Sequence, residues 1–264
     1  MLLFYILLYL ILNVLVGIWA SRRVHNTTDF LLAGRKLTFP FATAVVFATW
    51  FGSETLLGAS AQFSEKGLLG VIEDPFGAAL CLVLIGFFFA RKLYRMNLLT
   101  FGDFYRVRYN RLTEIIASFF LVISYFGWIA AQMVALGIIL NLVSGINLTG
   151  GILLGFLVVV IYTYLGGMWS VSVTDFMQTI VIIAGLLFVT ISLVIQIPVT
   201  QVINDLPPDF LRFTPPASAG TTGWINYFAM WITIGFGSIP QQDVFQRVMS
   251  SKSERVAVYA SFTA

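Results

Sequence analysis

The sequence predicts an all-α membrane protein, and composition and pattern both support this class. Hydrophobic residues make up 59% and charged residues only 10% of the chain, whereas charged residues are about 25% of an ordinary soluble domain. The mean hydropathy is +0.92. Apolar runs long enough to cross a hydrocarbon layer, roughly 20 residues as a helix, recur along the chain. We therefore expect several helices that span a lipid bilayer.

Composition also argues against several other classes. Cys81 is the single cysteine and His25 the single histidine, so an intrachain disulfide or a zinc site of several His or Cys ligands is impossible. His25 lies in a short polar stretch and should be exposed. The formal charge of +3 does not indicate nucleic acid, because the basic residues lie at the ends of apolar runs. No enzyme is expected, since no nucleophile, base and orienting group occur together.

The apolar runs predict eight helices in order. The spans are residues 2–19, 41–63, 75–90, 112–142, 150–164, 174–197 and 223–249, and an eighth begins after Lys252. The first lacks a basic leader and a small-residue cleavage site, so it is predicted to be a retained helix rather than a signal peptide. Residues 21–37, 91–111 and 199–222 are predicted to be loops, the last with four prolines. Because the sequence stops within the eighth helix, we expect it to be truncated.

The second span, residues 41–63, contains an unusual interruption. Its middle combines Gly52, Ser53 and Glu54. A glutamate inside the membrane is costly unless it faces protein or water, so it marks a pathway or a partner by default. Gly52 would let the backbone open, so that carbonyl groups and helix ends line a cavity. Alternatively, the helix is continuous, Glu54 bonds a neighbouring helix, and Gly52 is a packing notch.

The seventh span is interrupted in a similar way. Residues 235–240 combine two glycines with Pro240, and a proline removes a helical hydrogen bond and clashes with the preceding turn. The sequence therefore predicts two broken helices, one in each part of the chain.

The basic residues predict the orientation in the membrane. Thirteen of the fifteen lysines and arginines fall in loops on one side, and only Lys66 and Arg212 fall on the other. The positive-inside rule makes the first side cytoplasmic. The N-terminus and residues 199–222 are then outside.

Residues 162–178 form the most specific local pattern of the sequence. Gly166 and Gly167 should end one span, and Thr174 or Asp175 should cap the next helix, where a carboxylate also complements the helix dipole. The pattern Y-T-x-x-G-G-x-x-x-V-x-x-T-D-x-x-Q resembles that of the sodium:solute symporter family. Residues 100–109, 130–132 and 239–247 also resemble the family, in the same order. The resemblance covers nearly the whole chain.

This resemblance implies a function and an architecture. The function is sodium-coupled symport of a small polar organic solute across the cell membrane; a sensor input module of the same fold, attached to a signalling domain, stays open as an alternative. The architecture is the inverted-repeat bundle of leucine-type transporters, truncated after the start of its second repeat. Residues 1–37 would be an extra helix and loop, 38–198 the first five-helix repeat, 199–222 an extracellular loop and 223–264 the start of the second repeat. Both broken helices then open their repeats, which points to a binding site between them.

The resemblance also implies ion ligands. In the family, sodium lies against the unwound part of the first repeat's opening helix, where backbone carbonyls supply the oxygen that hard cations prefer. Ala48 and Phe51 would donate these carbonyls, completed by hydroxyls from a helix that this chain lacks. Residues 1–264 alone are therefore expected to bind sodium poorly. Asp175 would lie on the cytoplasmic side of the ion pathway, and Glu54 is a second candidate for that pathway.

Within the family, the nearest likeness is to the high-affinity choline transporter branch. Aromatic side chains there surround a quaternary ammonium through cation–π attraction, and Trp50 and Trp128 match two such positions. Alternatively, these tryptophans only pack. The sequence departs from the branch at Gln241, where a third tryptophan is expected, and at Glu54, where the branch has a small residue.

We predict a solute pocket that contains Trp50, Gly52, Trp128, Gln132 and Gln241. Gln132 lies one helical turn after Trp128 on the same face, and Gln241 directly follows the Pro240 break. Two aromatic faces and two amides suit a partly apolar solute with a cation or several hydrogen-bonding groups. They suit a bare anion badly.

Overall fold

A computed structural model describes residues 2–264, and these residues form α-helices joined by turns. The helices are α1 (Leu2–Ser21), α2 (Thr27–Leu32), α3 (Phe39–Trp50), α4 (Ser60–Lys66), α5 (Ala78–Leu84), α6 (Ala90–Met96), α7 (Phe101–Arg108), α8 (Arg111–Ser144), α9 (Leu148–Gln196), α10 (Val199–Asp205), α11 (Gly220–Gly235), α12 (Gln242–Ser250) and α13 (Glu254–Thr263). Wider helical turns lead into α4 at Glu54–Ala59 and join α5 to α6 at Ile85–Phe89.

Four stretches of the described residues are long and apolar enough to cross a membrane. They are Leu3–Ser21, Glu54–Met96, Arg111–Ser144 and Leu148–Gln196, and Phe39–Trp50 is a shorter apolar helix. Large apolar side chains on the outward faces of α1, α8 and α9 are exposed, as expected of helices that face lipid.

Both predicted helix breaks are present. Helix α3 ends at Trp50, and Phe51 has a non-helical backbone (φ −95°, ψ 79°) before the helical path resumes at Glu54. Helix α11 ends at Gly235, and α12 begins only at Gln242.

The predicted cap at Thr174 or Asp175 is wrong. Helix α9 bends at Gly167 (φ 48°, ψ −136°) and is helical again directly afterwards, so both residues lie well inside its second half. The Thr174 hydroxyl donates to the Ser170 carbonyl oxygen at 3.0 Å, a bond typical of a helix interior. The bend needs only this one residue, since glycine adopts a positive φ readily, and a side chain there would also meet the Phe30 carbonyl oxygen. A longer turn, with a cap seven residues later, is therefore not needed.

The three predicted loops contain short helices. Helix α2 lies within residues 21–37, α6 and α7 within 91–111, and α10 within 199–222. Helix α7 forms because Thr100 and Asp103 make a reciprocal capping box. Helix α10 ends before the first proline pair, so the prolines fall in the part of that segment that remains irregular. His25 is exposed, as predicted.

The buried core lies where the later helices pack on the earlier ones. Phe245 and Met249 of α12 are fully buried in a cluster with Leu32, Ile85 and Phe101. The loop before α3 joins the loop after α12 through two backbone hydrogen bonds, from the Leu37 amide to the Ser250 carbonyl (3.1 Å) and from the Lys252 amide to the Leu37 carbonyl (2.8 Å). This packing holds the two broken helices side by side.

Candidate functional site

A cavity of about 580 Å³ lies between the two helix breaks and α8. It lies within the range of about 300–1,000 Å³ that is usual for small-molecule sites. Five predicted residues line it: Trp50, Glu54, Trp128, Gln132 and Gln241. Trp128 and Gln241, which come from distant parts of the sequence, therefore face the same space.

Gln132 connects α8 to the first break. Its side-chain carbonyl oxygen accepts a hydrogen bond from the Ser53 backbone amide at 3.2 Å. Its amide nitrogen donates to the Glu54 carboxylate. The Ser53 backbone amide, at the start of the helix after the break, thus finds its acceptor on α8. The same side chain holds the Glu54 carboxylate at the cavity. The alternative of a continuous helix is excluded, although Glu54 does bond a neighbouring helix.

Two further carboxylates line the cavity, and the sequence analysis missed both. Asp74 accepts a hydrogen bond from the Thr55 hydroxyl at 2.8 Å. Asp243 accepts one from the Tyr125 hydroxyl at 2.7 Å. Asp74 directly precedes Pro75, and Asp243 lies in the first turn after the second break. Their closeness to Pro75 and to the Pro240 break was the available signal.

The three carboxylates are separate groups rather than a metal cluster. None of them forms a salt bridge with a described residue within 4.0 Å. Among the described residues, no group of three or more His, Cys, Asp or Glu side chains is placed to hold a metal ion. No lysine or arginine is among the described residues that line the cavity.

Aromatic groups supply the apolar part of the cavity. Trp50 is half-buried at the end of α3, and Trp128 on α8 is 44% exposed. The rings of Tyr125 and Trp128 meet edge to face, with centroids 6.4 Å apart. Residues 125, 128 and 132 follow helical spacing, so one face of α8 presents two rings and an amide.

Gly52, also predicted for the pocket, is not among the residues that line it. It lies at the break, where an added Cβ would come within 2.7 Å of one Glu54 carboxylate oxygen and 2.9 Å of the other. Gly52 therefore provides space for the Glu54 carboxylate next to the opened backbone.

Of the two predicted sodium ligands, Ala48 lies in the last turn of α3 and Phe51 in the break that follows it. Among the described residues, no hydrogen bond is made to the carbonyl oxygens of Ala48 or Phe51. The Phe51 side chain lines a second cavity of about 220 Å³ with residues of α5 and α13. The opened backbone therefore leaves these two carbonyl oxygens without a hydrogen-bond partner among the described residues.

Asp175 lies apart from both cavities, half-buried on the second half of α9. Three residues further on, the Gln178 amide donates to the Asn13 side chain of α1 at 3.1 Å. The structure does not bring Asp175 to the solute cavity.

Arg247 of α12 connects the two broken helices next to the first break. Its Nε donates to the Thr49 hydroxyl at 2.8 Å, and Thr49 is one residue before Trp50. Its guanidinium also donates to the Gln246 side chain at 3.2 Å. From the sequence, Arg247 was predicted only as one of the basic residues that set the orientation, since its partner on α3 is 198 residues away.

Residues 30–264 match the model of the sodium:solute symporter family. "High-affinity choline transporter 1" of Caenorhabditis elegans is 30% identical over 98% of this chain. "High affinity choline transporter 1" of Homo sapiens is 26% identical over 98% of the chain. The chain spans about half the length of these relatives, 46% in both cases.

A solved structure shows the same fold. A Na⁺-coupled sialic acid symporter, in a substrate-bound outward-open state, superposes on 97% of this chain and 54% of its own, with a TM-score of 0.79 at 22% identity. The predicted leucine-transporter-like helical bundle is confirmed by this likeness.

Proposed function

This chain belongs to the sodium:solute symporter family, and from that premise we propose that the complete gene product couples sodium entry to uptake of a small polar organic solute by alternating access. One observation supports this above the others: both helix breaks border one cavity. Secondary transporters place solute and ion sites at such paired interruptions, where opened backbone and side chains can share a ligand. Rocking of one repeat against the other would then expose the cavity to each side in turn.

Sodium binds, in this proposal, to the carbonyl oxygens of Ala48 and Phe51. Hard cations prefer oxygen ligands, and these two oxygens have no hydrogen-bond partner among the described residues. Two carbonyls are fewer than the usual ligand number, so oxygens from elsewhere in the complete protein would finish the site.

Asp175 serves as a cytoplasmic station for the departing ion. The position inside α9 removes the capping explanation for this carboxylate. A half-buried acid on a membrane helix is costly unless it has a function or a partner.

The solute occupies the cavity between the breaks. Two tryptophan faces suit an apolar or cationic part, and Gln132 and Gln241 suit hydrogen-bonding groups. The protein lies in the plasma membrane with its N-terminus outside, because the basic loops favour the cytoplasm.

The test is a thermal-unfolding screen of the purified complete gene product against small solutes, with and without sodium, followed by uptake into proteoliposomes. A ligand of the native state raises the unfolding temperature by mass action, and we expect this rise to require sodium. Binding without uptake would favour the sensor module. No sodium-dependent ligand would contradict the symporter. Unchanged sodium-dependent uptake in Asp175→Asn would remove that residue from the ion route.

A further inference from the structure

The solute cavity has an excess of negative charge. Glu54, Asp74 and Asp243 line it, and each has a neutral donor as its side-chain partner: an amide for Glu54 and a hydroxyl for each aspartate. Arg247 donates a hydrogen bond to Thr49, which lines the cavity, but Arg247 itself does not line it. An ionised carboxylate shielded from water is unfavourable without a positive partner, so this cavity is suited to a cation.

The spacing of the carboxylates argues for an organic cation rather than a metal ion. No three acidic groups of the described residues converge on one point. They are instead distributed over the wall of a cavity of about 580 Å³, which Trp50 of α3 and Trp128 of α8 also line. A molecule with a charge and an apolar frame would use both kinds of wall.

The hydrogen-bonding capacity of the cavity distinguishes between kinds of ammonium. Each carboxylate uses one oxygen for its neutral donor and has a second oxygen with no hydrogen bond from a described residue. Those oxygens can accept hydrogen bonds, and an ammonium group that carries N–H can donate them from its charged centre. A quaternary ammonium has no N–H group and depends on aromatic faces. Where the choline transporter branch is expected to have a third aromatic ring, this cavity has the amide of Gln241.

We propose that the solute is a protonated amine with N–H donors, and that Glu54 is the residue that selects it over a quaternary ammonium. This inference rests on the proposed symport function. The ammonium donates to Glu54, and the rest of the solute packs on Trp50 and Trp128. Charge-assisted hydrogen bonds are the stronger kind, and the opened backbone at Gly52 gives the carboxylate room.

Gln132 is a positioning residue in this arrangement. It donates to one Glu54 oxygen and accepts from the Ser53 amide, so it fixes the carboxylate against the helix break without taking up both of its oxygens. The solute and the break that offers carbonyls to sodium are then linked through one side chain.

The experiment compares cations that differ only in methylation. Ethanolamine, N-methylethanolamine, N,N-dimethylethanolamine and choline form one series, and benzylamine with its three methylated forms is a second series on a larger apolar frame. Each is added, in sodium, to the purified complete gene product during thermal unfolding. We expect stabilisation to decrease as N–H groups are replaced in at least one series. From primary to quaternary amine, affinity should fall by roughly tenfold or more.

The variant Glu54→Gln keeps the shape and removes the charge, so it should abolish this gradient. Glu65→Gln, an exposed acid on α4 outside the cavity, is the matched control and should keep it. Stabilisation by sodium alone should be equal in both variants. If Glu54→Gln instead loses the response to sodium alone, Glu54 is a sodium ligand and the proposal is overturned.

Other outcomes also decide the question. A flat series, a preference for the quaternary forms, or no response to any amine overturns the proposal. In those cases, neutral, zwitterionic and anionic solutes are tested in the same way. A sodium-dependent response to one of them leaves the symporter function standing, whereas no response to any solute contradicts both.

Discussion

The two broken helices are held open by different means. At the first break, the Ser53 amide is satisfied by Gln132, a side chain 79 positions away in the sequence. At the second, the backbone closes on itself through turns, such as the bonds from Ser238 to Ile234 (3.2 Å) and from Gln241 to Ser238 (3.3 Å). The first break therefore depends on its neighbours and leaves carbonyls free, while the second is locally complete.

The segment after the second break is also anchored more firmly in the core than the segment after the first. After the second break, α12 inserts Phe245 and Met249 fully into the core. After the first, the turn Glu54–Ala59 has no buried residue. The second broken helix thus provides a fixed wall that presents Gln241 and Asp243, and the first is the part whose contacts a ligand can change.

The largest expected effect tests the anchor. Phe245 is 0% exposed and packs edge to face on Phe101, with centroids 5.5 Å apart. Phe245→Ala should lower the free energy of unfolding by about 3–5 kcal/mol, the usual cost of removing a buried phenylalanine. Denaturation in detergent micelles measures this. Phe236→Ala, in the second break and 53% exposed, is the control and should cost much less; equal losses would mean that α12 is not the anchor.

The sequence predicted both breaks and failed to predict how they are stabilised. Glycine and proline weaken a helix through their own backbones, so Gly52 and Pro240 were visible in the sequence. The pairing of Gln132 with Ser53 and Glu54 depends on the packing of α8 against α3, for which no local pattern exists. Gln132 was predicted as a pocket residue, and its second role required the structure.

Local rules also led to errors where one residue overrides a longer pattern. Thr174 and Asp175 have good capping chemistry, yet Gly167 already makes the turn. Asp74 was not predicted as a pocket residue, although its side chain lines the cavity. Fold class was predictable because composition and hydrophobic pattern act over many residues, whereas a site depends on single contacts.

The next effect concerns the dependence of the first break on α8. Gln132→Met keeps the length of the side chain and removes its acceptor and its donor. Because the Ser53 amide and Glu54 both lose their partner, we expect a loss of about 1–3 kcal/mol in the free energy of unfolding, with weaker stabilisation by sodium. Gln196→Met, at the exposed end of α9, should leave both unchanged. An unaltered sodium response in Gln132→Met would show that the first break does not depend on this contact.

A smaller effect tests two walls of the cavity, the face of α8 and the second helix break. Trp128→Ala and Gln241→Ala should each weaken solute affinity by roughly tenfold, about 1.4 kcal/mol, while both proteins still insert into the membrane. Neither change removes a spanning segment. Titration of the solute found in the screen measures this. If both variants keep the parental affinity, the solute binds elsewhere and the cavity assignment is wrong.

The smallest effect lies at the membrane edge, where α13 is tied to α6. Glu254 contacts Arg95 through Nε at 2.8 Å and Arg91 through Nε at 2.8 Å. The hydrogen bond from Arg95 lowers the pKa of Glu254 below its ordinary value of 4.5; desolvation opposes this shift, and the charges of Arg95, Arg91 and Arg255 support it. A carboxyl group whose pKa is lower in the folded state stabilises that state above its ordinary pKa, and this stabilisation is lost as the pH falls through the folded-state pKa.

Both arginines are mostly exposed, so salt weakens the pairs. We therefore expect Glu254→Gln to melt slightly below the parent at pH 7 and low salt, and the difference to shrink as the pH falls below 4.5 or as salt is added. A difference that persisted at low pH would mean that Glu254 supports α13 through its N-terminal packing rather than through its charge.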